Sequence, residues 1–82
     1  MPKFYFQLID HEGIKPTEMA YDFDNAEDAI AESRTALAEM AADGLPRGEY
    51  NMLSVEIFDD QRRPVREIRL ILEEIDKVQS TS

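Results

Sequence analysis

Asp24 to Pro46, DNAEDAIAESRTALAEMAADGLP, constrains the fold more than any other stretch of this chain. Apolar or small residues recur at Ala26, Ile30, Ser33, Leu37, Met40 and Ala41, the three-and-four spacing of one helix face. Asp28, Glu32, Thr35, Glu39 and Asp43 fall on the opposite face. Asp24 is placed to cap the start, with Glu27 three residues on as the reciprocal member of a capping box, and Asn25 is a competing cap. Gly44 can close the far end in a left-handed conformation, Leu45 can fold back on the last turn, and Pro46 cannot continue the helix. The spacing predicts a helix over 25–43.

Around this helix the pattern changes to alternation. Lys3 to Ile9 sets Phe4, Phe6 and Leu8 against Tyr5, Gln7 and Ile9, rich in residues that suit a pleated surface, and predicts a first strand. Asp10 to Pro16 supplies turn chemistry, with Gly13 free to take positive φ and Pro16 interrupting a ladder. Thr17 to Phe23 alternates again and predicts a second, antiparallel strand. Met52 to Phe58 predicts a third, with Leu53, Val55 and Ile57 on one side. Asp59 to Pro64 reads as a hairpin loop into a fourth strand over 65–72, because the third strand needs a partner. Residues 71–78 fit either a continued strand or a short helix.

The expected fold is α+β, in the order β-β-α-β-β. It is a four-stranded antiparallel sheet with one long helix across the face bearing Phe4, Phe6, Leu8, Leu53, Val55 and Ile57. Alanines at 26, 29 and 41 would let the helix approach closely. With 82 residues there is room for one domain, over 1–78, followed by a disordered tail at 79–82. Without cysteine, disulfides and thiolate chemistry are excluded, and the fold must rest on packing or self-association. No run is long enough for a signal peptide or a membrane span, so the expected location is the cytoplasm.

The opening Met-Pro-Lys-Phe-Tyr-Phe-Gln-Leu-Ile-Asp, the helix start at Asp24 to Ala29 and the segment Leu-Ser-Val-Glu-Ile-Phe-Asp-Asp-Gln-Arg-Arg-Pro-Val resemble a family of small bacterial proteins known only as a domain of unknown function. The resemblance runs from residue 1 to about 70. It implies an aromatic first strand, a turn at Asp10 to Gly13 and a late hairpin, and it implies no catalytic residue. The chain past Leu72 departs from the family pattern.

The residues themselves point away from catalysis. Asp22 to Asp28 has the acidic rhythm of a calcium loop, but Glu27 and Ser33 stand where that loop needs Gly and Glu. The serines lie outside any Gly-x-Ser-x-Gly elbow, and Gly13, Gly44 and Gly48 are too scattered to cradle phosphate. Acid pairs such as Asp59 with Asp60 have no evident pocket to split their pKa values. His11, between Asp10 and Glu12, is the alternative site for a ligand or metal, although sequence neighbours on a turn do not converge well on one point. The expectation is a protein without a cofactor.

Net charge −9 disfavours nucleic acid. The remaining reading is an interaction or structural module that self-associates, most simply as a homodimer. Its candidate surface comprises the helix acids Asp28, Glu32, Glu39 and Asp43, the aromatics Tyr5 and Phe58 on the sheet face away from the helix, and Arg62, Arg63 and Arg66 of the late hairpin. The like-charge pairs Asp28 with Glu32 and Glu39 with Asp43 each cost a few tenths of a kcal/mol, which solubility or a basic partner would explain. Ile9 and Ile71 are expected beside Tyr5 and Phe58 on the uncovered face.

Overall fold

Aromatic and branched residues on alternate positions make Lys3–Asp10 a strand, β1, in a computed structural model that describes residues 2–16, 20–46 and 50–78. His11 and Glu12 turn the chain directly into β2, Gly13–Pro16, with Asp10 opposite Gly13 and Gln7 opposite Pro16. Gly13 has φ +117°, a conformation that a side chain resists, and Asp10 Oδ1 accepts the Glu12 N–H at 2.8 Å to hold the turn. A two-residue strand, β3, Tyr21–Asp22, pairs with the other end of β1, Lys3 opposite Asp22 and Phe4 opposite Tyr21.

Within the second strand expected over 17–23, Tyr21 and Asp22 pair with β1 in the expected antiparallel sense, and a further strand, β2, stands in the segment read as a turn. A two-residue loop returns the chain at once. Pro16 is tolerated because β2 is an outer strand, where a missing N–H breaks no ladder bond. Thr17, Glu18 and Met19 lie outside the described residues, as does the connection at 47–49.

The helix, α1, spans Ala26–Ala42. Asn25, not Asp24, is its cap: the side-chain Oδ1 accepts the Asp28 N–H at 2.9 Å. Replacing Asn25 with alanine is expected to cost about 1 kcal/mol in denaturant titrations, and Asp24→Ala markedly less. Gly44, at φ +144°, donates its N–H to Ala41 O at 3.1 Å and closes the helix, whereas Leu45 stays exposed instead of folding back.

Met52–Phe58 forms β4 and Pro64–Ile71 forms β5, matching the expected hairpin. The antiparallel sheet runs β2-β1-β4-β5 with β3 also on β1, so five strands and one helix make an α+β fold in the order β-β-β-α-β-β. A β-bulge near Val65 offsets the register, since Ile57 opposes Arg66 but Phe58 opposes Pro64.

The predicted faces meet as expected. Phe4, Ala29, Ile30 and Ile57 form one buried cluster, Leu37, Leu53 and Val55 a second, and Phe6 and Ile68 touch both. Past Leu72 the described chain, 73–78, is exposed and without regular structure, so the short helix considered for it does not form there. Its apolar residues, Ile75 and Val78, are exposed.

Candidate interaction surface

Because side chains on a strand alternate, the register sorts the sheet into two faces. Tyr5, Gln7 and Ile9 of β1 share the face away from the helix with Phe58, Glu56 and Ser54 of β4, and Glu67, Arg69 and Ile71 of β5 lie on that face too. Tyr5 and Phe58 are directly opposite, and the Arg62 guanidinium lies 3.9 Å from the centre of the Tyr5 ring. That contact is a cation–π stack, worth about 0.5–1 kcal/mol at a surface.

Arg62 has φ +62°, an unfavourable conformation for a residue with a side chain. Asp59 holds it there. Its backbone N–H and C=O bond to Arg63 O and Arg62 N–H, both at 2.9 Å, while its carboxylate takes the Gln61 and Arg63 N–H groups and Arg63 Nε at 2.9 Å each. The structure thus joins Tyr5, Phe58 and Arg62 in one patch and ties Arg63 to Asp59. Arg66 opposes Ile57 and so belongs to the helix side.

Asp28, Glu32, Glu39 and Asp43 are all exposed on α1, apart from the Tyr5 patch. Ile9, expected to be uncovered, is only 9% exposed, between Ile14 and Ser54 on the neighbouring strands. Ile71 is open, at 57%.

A polar network completes this face. Ser54, at 1% exposure, donates its hydroxyl to Glu67 at 2.7 Å, and Arg69 grips the same carboxylate through Nε at 2.8 Å and Nη2 at 3.1 Å. Ser54 is buried because the Glu67–Arg69 pair sits beside it on the adjacent strand, which the sequence reading did not anticipate. The signal was nonetheless present, since an acid and an arginine two residues apart on a strand share a face.

The Arg69 guanidinium, and after it the Ser54 hydroxyl, hold Glu67 below its ordinary pKa. The Arg63 N–H, with Gln61 and the Arg63 side chain, does the same for Asp59. A depressed carboxyl contributes stability above its unfolded pKa and loses it as pH falls through the lower folded value. The stability gap between wild type and Glu67→Gln is expected to stay constant above pH ~5 and to close as pH falls below about 4. Urea titrations from pH 7 to 3 would measure it.

Two other features border the sheet. A groove of about 300 Å³ opens between α1 and the strands, lined by Phe6, Leu8, Tyr21, Phe23, Ser33 and Ala36, with Glu32 at the helix side. His11, considered above as a ligand or metal site, has both ring nitrogens shielded from solvent and without a hydrogen-bond partner. Among the described residues no group of three His, Cys, Asp or Glu side chains could hold a metal ion, and no helix is long and apolar enough to cross a membrane.

Fold and surface together define a small α+β domain with one sheet face covered by a helix, the other carrying an aromatic–arginine patch, and one long sheet edge. The chain belongs to the family described as Domain of unknown function (DUF6894), whose model matches residues 3–71. The match ends at the last residue of β5 and leaves the exposed segment beyond it outside. No curated protein and no solved structure matches the chain.

Proposed function

We propose that this protein is a non-enzymatic interaction module that self-associates, a small acidic bacterial protein of the cytoplasm. The observation that carries the reading is β5. Among the described residues this eight-residue strand has a neighbour on one side only, and it exposes Val65, Leu70 and Ile71. A long strand edge with apolar side chains templates further pairing unless it is covered. The cysteine-free composition suits a reducing compartment. Sedimentation equilibrium at tens of micromolar should return twice the chain mass, and a monomer at that concentration would overturn the proposal.

A second reading, a ligand-binding domain, draws on the groove, whose volume is at the lower end for small-molecule sites. It has less support at the His11 loop, where the imidazole nitrogens are shielded. Titration with an apolar fluorescent probe tests it: Ala36→Trp should abolish saturable binding, and equal binding by wild type and variant would remove the groove from consideration.

A further inference from the structure

We infer that the partner is a second copy of this chain, joined β5 to β5 in antiparallel fashion about a twofold axis through Ile68. The inference deepens the self-association reading and rests on it. Leu72 donates its N–H to Asn51 O at 2.8 Å, so Leu72 points its backbone toward β4. Alternation along β5 then turns the N–H and C=O groups of Glu67, Arg69 and Ile71 outward, ready to pair. Pro64 and the bulge blunt only the beginning of the strand, and from Arg66 to Ile71 the register is regular.

A twofold perpendicular to the sheet pairs residues of the same face, so the axis must pass through a residue. Charge and the length of strand overlap then decide which one. Centring on Arg66, Glu67 or Arg69 sets that charged side chain against its own copy, and centring on Pro64, Val65, Leu70 or Ile71 leaves three or fewer residues of each strand paired. Centring on Ile68 opposes no like charges within the strand. Glu67 then meets the partner's Arg69, Arg69 the partner's Glu67, Arg66 the partner's Leu70 and Leu70 the partner's Arg66.

Glu67 and Arg69 already pair within one chain, so the axis would assemble two such pairs into a ladder of alternating charge. Ile68 packs against both core clusters and would meet the partner's Ile68 at the axis, where cross-strand side chains approach most closely.

The test exchanges the charges. Glu67→Arg and Arg69→Glu should each weaken the dimer by about tenfold or more, because each change acts twice across the axis. An equimolar mixture of the two variants should recover a heterodimer, and the double variant Glu67→Arg/Arg69→Glu should dimerise again. Circular dichroism would show that each variant is folded. A folded single variant as dimeric as wild type, or a mixture that stays monomeric, overturns the β5 interface while leaving self-association intact. A monomeric wild type overturns both.

A cross-link reads the register independently of the charge exchange. In this cysteine-free chain, Arg66→Cys mixed with Leu70→Cys should oxidise to a disulfide dimer in greater yield than either variant alone. Equal yields would exclude the axis through Ile68.

Discussion

Replacing Leu53 with alanine is expected to destabilise the protein by about 3 kcal/mol and to lower Tm by about 12 °C or more. Leu53 is fully buried in the central strand β4, packed with Leu37 and Val55 beneath the helix. The substitution removes buried methyl groups and leaves a cavity that two flanking strands and a helix cannot easily close. In an 82-residue domain without disulfides that loss is a large share of the total stability. Leu70, directly opposite on β5, is 42% exposed, and Leu70→Ala should cost about 1 kcal/mol or less. Urea unfolding of the two variants measures the contrast, and equal losses would mean that the helix does not cover β4 as described.

The second large effect runs in the opposite direction. Ala29→Leu is expected to cost about 2–3 kcal/mol, because Ala29 is fully buried against Phe4, Ile30 and Ile57 and the added atoms must push the helix away from the sheet. Ala36→Leu makes the same chemical change two turns further along, where the side chain borders the open groove. It should be neutral or stabilising by up to about 1 kcal/mol, since the new methyl groups enter unfilled space beside Phe6 and Leu8. Thermal unfolding of both variants distinguishes a tight approach at Ala29 from general intolerance of bulk in this helix.

Much of this was legible from residue order. The helix was readable because its punctuation and its periodicity agree: a side-chain cap, a three-and-four apolar repeat, and Gly44 before Pro46. Met52–Phe58 was equally plain, with Leu53, Val55 and Ile57 all reaching the core. Between β1 and the helix, alternation over 17–23 and turn chemistry over 10–16 are local signals, and they miss β2. The actual turn takes only His11 and Glu12, so β2 begins at Gly13 and pairs with β1 from Gly13 to Pro16. Between Asp24 and Asn25 the chain carries two good caps in succession, and only the geometry of the first turn selects one of them.

The candidate surface divides in the same way. Tyr5 and Phe58 were assignable to the uncovered face from alternation alone, and their direct opposition followed once β1 paired with β4. Arg62, Arg63 and Arg66 looked like one basic cluster in the sequence. The fold separates them, one stacked on Tyr5, one held by Asp59 and one on the helix side of β5.

What the sequence by itself determined is the identity of β1, α1, β4 and β5 and the face each one turns to the core, because helix and strand periodicities are local properties of side-chain spacing. Strand order and register were decided only by the tertiary structure, since they depend on pairings between residues far apart in the chain. Those pairings set Glu67 and Arg69 beside Ser54, bury Ile9 and leave β5 at the edge, which is why the surface proposed for self-association could not be placed before the sheet was assembled.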